Sequence, residues 1–169
     1  MEMANMVLEN SDLVVPLLEI TFDVDNPLSS KACWILEYVA KEDLSYILPH
    51  INFFSDNMNS VKLDSSVRPM AKICEYLIKA YFSKNKNKTQ KTLTPKHLEQ
   101  IATSCFDWLI GDHKVAAKVY AMTSLLLLGR KFEWIHPELK MVLQLNYASG
   151  SSAYKARARM TLEKLKLLT

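Results

Sequence analysis

Four stretches of this chain can be laid over one another so that their apolar and polar positions coincide. They are "SSKACWILEYV" from Ser29, "SVRPMAKICEYL" from Ser66, "DHKVAAKVYAM" from Asp112 and "AYKARARMTLEKL" from Ala153. In this register a basic residue recurs at Lys31, Arg68, Lys114 and Lys155. Three positions later stand Trp34, Ala71, Ala117 and Ala158, and two beyond those Leu36, Ile73, Val119 and Met160. Small and apolar side chains at these offsets lie along one side of a helix, the stripe that an amphipathic helix buries. Each stretch therefore predicts a helix packing through the same face.

A second marker precedes each stretch. Pro16, Pro49, Pro95 and Pro137 stand 15, 19, 19 and 18 residues before the basic residue of their unit. Proline is tolerated in the first turn of a helix and kinks it further in. Each unit thus predicts one helix with proline in or near its first half, a turn, and a second helix opening near the basic residue. Successive basic residues are 37, 46 and 41 apart, which is close to one helical hairpin per repeat. Glycine is scarce, with only Gly111, Gly129 and Gly150. That scarcity argues against a phosphate-cradling loop or a hairpin-rich β fold, both of which need backbone with positive φ.

The pattern resembles the HEAT repeat, a helical hairpin of about 40 residues that stacks into an α-solenoid. The four prolines match the one commonly carried by that family's first helix. "DSSVRPMA" (Asp64 to Ala71) resembles closely, and "DHKVAA" loosely, the Asp, Val-Arg and Ala with which its second helix opens. The first unit departs, with Trp34 in the small-residue column, and the fourth lacks the aspartate. The resemblance implies an all-α fold, a short right-handed α-α superhelix of about four HEAT-like hairpins, as one domain over residues 1–169. Its core is expected to include Leu17, Leu18, Trp34, Leu36, Ile47, Ile51, Ala71, Ile73, Leu77, Ile101, Trp108, Ala117, Val119, Leu125, Leu143 and Leu162. One insertion, at about residues 83–94, carries Lys84, Lys86, Lys88 and Lys91 without acids and reads as an exposed loop.

Composition narrows the class further. A net charge of +3 does not by itself imply nucleic acid. Cys33, Cys74 and Cys105 are odd in number and widely spaced, which suits a reducing compartment better than a disulfide framework or zinc site. The first residues lack a basic region of the signal-peptide kind, and the longest apolar run is far below the ~20 residues of a membrane span. A cytoplasmic protein without a membrane segment is expected, with no cofactor.

Candidate chemistry is sparse. Gly150, Ser151, Ser152 and Lys155 resemble part of the signature loop of the fumarase and adenylosuccinate lyase superfamily, but its Met-Pro pair and asparagine are missing. Ser151 or Ser152 instead suits an N-cap for the last helix. His50, His97, His113 and His136 have no metal-ligand spacing. HEAT-like solenoids also include the alkylpurine glycosylases of the DNA alkylation repair family, which use an Asp flanked by Trp and Arg. Trp108 and Asp112 stand four apart and would share a face if one helix spanned both, with Trp134 and Arg130 or Arg157 to complete a site. The other reading makes Trp108 core, Gly111 a helix end and Asp112 a cap for a helix opening at His113.

The basic column also has two readings. Lys31, Arg68, Lys114 and Lys155, extended by Arg157 and Arg159, could form a stripe that binds phosphate backbone or an acidic protein surface. Alternatively they form a structural ladder with Asp25, Asp64 and Asp107. No coherent catalytic set emerges. The favoured function is a non-catalytic interaction module or scaffold that docks a protein segment along its concave face. The alternative is a DNA-binding protein related to the alkylation repair glycosylases. The exposed ends of a four-unit array also leave room for a dimer.

Overall fold

The computed structural model describes residues 1–168. These form ten α-helices and no strand: α1 (Glu2–Glu9), α2 (Val14–Phe22), α3 (Ser29–Glu42), α4 (Ile51–Asn57), α5 (Asp64–Tyr81), α6 (Lys88–Thr92), α7 (Pro95–Ile110), α8 (Val115–Leu128), α9 (Ile135–Asn146) and α10 (Ser152–Leu168). The prolines of the repeat pattern sit at helix starts. Pro95 is the first residue of α7, and Pro16 and Pro137 are the third residues of α2 and α9. Pro49 lies in the 3-10 turn that leads into α4. At such positions the missing N–H has no intrahelical partner to lose.

Local sequence explains several of these starts. Thr94 caps α7, and His97 closes the box, its Nδ1 accepting from the Thr94 N–H at 3.0 Å. The His97 ring must then carry its proton on Nε2, which faces the side-chain oxygen of Asn52. Burial holds its pKa below the ordinary histidine value, consistent with that neutral form. At the last helix, Ser151 Oγ accepts from the Tyr154 N–H at 3.2 Å, so the Gly-Ser-Ser segment caps α10.

Helix α8 departs from expectation. It opens at Val115, not His113, and Asp112 is exposed and caps nothing. Asp64, the first residue of α5, supplies the acceptor instead. Its Oδ1 takes the Lys114 N–H at 3.4 Å and lies 3.2 Å from His113 Nδ1, tying the starts of two neighbouring helices together. The expected loop at 83–94 also contains structure. Asn87 and Gln90 form a capping box for α6, and the Gln90 amide donates to the carbonyls of Tyr81 and Ser83. Thr89 and Leu93 are buried while Lys84, Lys86, Lys88 and Lys91 stay exposed. Polar composition alone hid the two inward-facing residues.

The helices pack in a definite order. The helices that carry the four aligned stretches lie side by side, α3 on α5, α5 on α8 and α8 on α10. Behind them α2 packs on α3, α4 on α7, and α7 on α8 and α9. A continuous core runs between, with Leu36, Phe54, Met70, Ile73, Leu98 and Trp108 among its most deeply buried side chains. Ala71, Ala117 and Ala158 are buried as the repeat predicts, and their small side chains let adjacent helices approach. Three expected core residues need correction: Val119 and Leu162 are half-buried, and Trp34 is 46% exposed. The indole is too large for a seam built on alanines, so Cys33 and Leu36 take the buried stripe of α3. No helix among the described residues is long and apolar enough to cross a membrane.

Candidate interaction site

This row of helices carries a cluster of cations, rings and carboxylates. Arg68, in the first half of α5, stacks its guanidinium on the Trp34 ring of α3, 4.4 Å from the centroid. It lies 5.8 Å from the Tyr120 ring of α8. Its Nη1 donates to Glu37 Oε2 at 2.9 Å. One turn further along α5, the Lys72 ammonium is 4.3 Å from the Tyr120 centroid and 5.0 Å from that of Tyr76. Lys72 Nζ donates to Glu75 Oε2 at 2.6 Å, and Lys79 Nζ lies 3.1 Å from Glu75 Oε1. Residues 68, 72, 75, 76 and 79 share one stripe of α5, because neighbours on a helix surface are three or four apart.

Burial decides what each group can do. Glu75 is nearly buried at 6% side-chain exposure, so its carboxylate depends on the two ammonium groups that neutralise it. Burial pushes the Glu37 carboxyl above its ordinary value, and Arg68 opposes that shift without cancelling it. For Lys72, burial works against the charge, but the hydrogen bond and charge of Glu75, helped by Tyr76 and Tyr120, hold its pKa above the ordinary lysine value. Each stacked cation contributes on the order of 0.5–1 kcal/mol at such half-exposed positions. The result is a surface on which the outer parts of Trp34 and the unused guanidinium donors of Arg68 remain open to a partner.

The expected site residues are dispersed. Of the basic column only Arg68 enters the cluster, and its partner is Glu37 rather than an aspartate. Asp64 holds the backbone of Lys114 and the ring of His113, and Asp107 accepts from Asn59 at 2.7 Å. Among the described residues, the side chains of Lys31, Lys114, Lys155 and Arg157 have no carboxylate or hydrogen-bond partner. Arg159 donates to the Tyr147 hydroxyl at 3.0 Å. Trp108 is buried in α7 with its Nε1 unpartnered, and α7 ends at Ile110 with Gly111 as its cap residue. Asp112 therefore lies past the helix end, and the two residues do not share a helical face. Trp134 is 51% exposed and packs its ring 5.7 Å from that of Phe106.

All three cysteines are buried. Burial pushes the Cys33 thiol up to about 11 and that of Cys105 to about 12, so both stay protonated near neutral pH. Sequence reasoning missed Glu37, Lys72, Glu75, Tyr76 and Tyr120. The spacing 68, 72, 76 on an amphipathic helix could have signalled the α5 stripe; Tyr120 belongs to the cluster only through packing of α8 on α5.

Compared with models of protein families, with curated proteins and with solved structures, the chain matches none.

Proposed function

We propose that this chain is a non-catalytic interaction module of HEAT-like design. Its helices stack as a short right-handed superhelix of about four HEAT-like hairpins, with α3, α5, α8 and α10 side by side, and a protein segment docks across α3, α5 and α8. The side-by-side order of these four helices supports the stacking. The observation that carries the function is the exposed Trp34 held under Arg68, whose guanidinium also lies 5.8 Å from the Tyr120 ring. Trp, Tyr and Arg are the residue types that dominate binding energy at protein interfaces, and pre-ordering by Glu37 lowers the entropy lost on docking. The central cations are matched by carboxylates, which weakens a continuous phosphate-binding stripe. The nucleic-acid alternative keeps one observation in its favour, the unpaired side chains of Lys31, Lys114, Lys155 and Arg157.

The test is capture of partners from the host by the tagged protein and by its Trp34→Ala variant, each in nuclease-treated and untreated halves. The expected result is a protein retained by wild type in both halves. Retention by the variant should fall by roughly tenfold or more, since a hot-spot residue contributes ~2 kcal/mol or more. Loss of binding on nuclease treatment would favour the DNA-binding alternative. Equal retention by wild type and a folded Trp34→Ala protein would sink the docking surface proposed here.

A further inference from the structure

The two ends of the helical array carry opposite charge. Residues 1–30 hold six carboxylates and no lysine or arginine. Residues 130–169 hold eight lysines and arginines against three glutamates, Glu133, Glu138 and Glu163. Both ends also leave apolar side chains in water. Helix α1 buries Ala4 and Val7 and packs on α3, while Met3 and Met6, each 53% exposed, form an outward ridge. Glu2 and Glu9 flank that ridge and are exposed.

At the other end, a groove of about 580 Å³ runs between α9 and α10. Pro137, Leu162 and Leu165 give it an apolar lining, and Lys140 and Arg159 stand along it, both exposed. Arg159 is oriented by its bond to Tyr147, another lining residue. The groove is lined also by Lys166 and by one carboxylate, Glu163, so its charge is net positive. A short ridge of two methionines between two carboxylates and an apolar trough of net positive charge are complementary in both polarity and charge.

We infer that the α1 ridge of one copy docks in the α9–α10 groove of a second copy, head to tail. Unbranched methionine side chains suit an irregular trough. Glu2 and Glu9 approach Lys140 and Arg159 across the rim, where opposite charges set orientation and speed encounter. The surfaces that meet are different, so the contact does not close on itself as a two-fold dimer does. It extends into open chains unless the rotation per copy closes a ring. Like charges repel in head-to-head and tail-to-tail pairings, which leaves this orientation favoured.

The experiment is analytical ultracentrifugation of the untagged protein over a range of concentrations at low and high salt. Wild type is expected to grow in mass with concentration at low salt and to weaken by about tenfold or more at high salt. Two charge-reversed variants make the test specific: Glu2→Lys with Glu9→Lys at the head, and Lys140→Glu with Arg159→Glu at the tail. All four residues are exposed, and circular dichroism checks that each variant folds. Each variant alone should stay monomeric. Their equimolar mixture should regain association that grows with concentration, because the intact tail meets the intact head and the reversed head meets the reversed tail with charges again opposite; a mixture that stays monomeric overturns the inference. A wild-type protein that stays monomeric at high concentration and low salt overturns the inference. So does association that survives either reversal, which would mean another surface is used.

Discussion

Arg68 and Lys155 occupy the same column of the repeat, yet they work under different conditions. In the middle of the row, Arg68 is stacked on Trp34, near Tyr120 and paired with Glu37. At the end of the row, Lys155 and its neighbour Arg157 have no carboxylate partner among the described residues. The difference is in the neighbouring helices. Arg68 lies between α3 and α8, which bring a ring and a carboxylate from one side and a ring from the other; α10 follows α8 as the last helix described. A basic residue at a fixed position of the aligned stretches is therefore held in place only where the adjacent helices supply its partners.

The largest effect expected from breaking this comparison is at Glu75. Its buried carboxylate joins Lys72 and Lys79. Glu75→Ala leaves Lys72 without its counter-charge in a half-buried place. Because Lys79 is 54% exposed and can turn to water, the expected loss is about 1–3 kcal/mol, at the scale of an unsatisfied polar group rather than a fully buried charge. Glu75→Gln should recover only part of it, since an amide accepts a hydrogen bond but carries no charge. Urea denaturation measures both. A loss below about 0.5 kcal/mol for the alanine variant would mean that the central cluster is as dispensable as the ends.

A smaller and opposite effect is expected at Glu37. Burial raises its pKa above the ordinary 4.5 despite the adjacent Arg68. Between the unfolded and folded values the folded protein binds more protons, so this group's contribution falls as pH rises through that window. It recovers as pH drops toward 4.5. Glu37→Gln should therefore cost little at pH 7, and wild type should gain on the variant as the solution is acidified. Melting temperatures of the two proteins from pH 7 to pH 4.5 read this directly. If wild type instead loses ground on acidification, the Arg68 pair outweighs the burial of Glu37.

The helical class was legible in the sequence because its signals are local. Apolar spacing marked the faces of α5 and α8, the four prolines marked helix starts, and Ser151 or Ser152 was expected as the cap that Ser151 forms. Trp34 was misjudged because alignment to a column of alanines says nothing about whether a seam has room for an indole. The cap of α8 was missed because its acceptor, Asp64, is fifty residues away in sequence, where no local rule looks. The candidate site was only half visible for the same reason. The α5 stripe is a sequence pattern, but its pairing with Trp34, Glu37 and Tyr120 exists only once three helices are side by side.

The smallest expected effect tests the column itself. Lys31 is the counterpart of Arg68 in the first repeat, and it is exposed on α3 with no partner for its ammonium. Lys31→Ala replaces a surface lysine by the best helix former, so stability should change by no more than about 0.5 kcal/mol. Lys155→Ala should behave alike. Arg68→Lys, though it keeps the charge, should cost more than either, because an ammonium cannot stack its plane on Trp34 while donating to Glu37. Differential scanning calorimetry of the three variants ranks them. If Lys31→Ala proved as costly as Arg68→Lys, basic residues would be structural at every repeat, with or without aromatic and acidic neighbours. The ranking expected here would mean that neighbours, not repeat position, determine which basic residue is held in place.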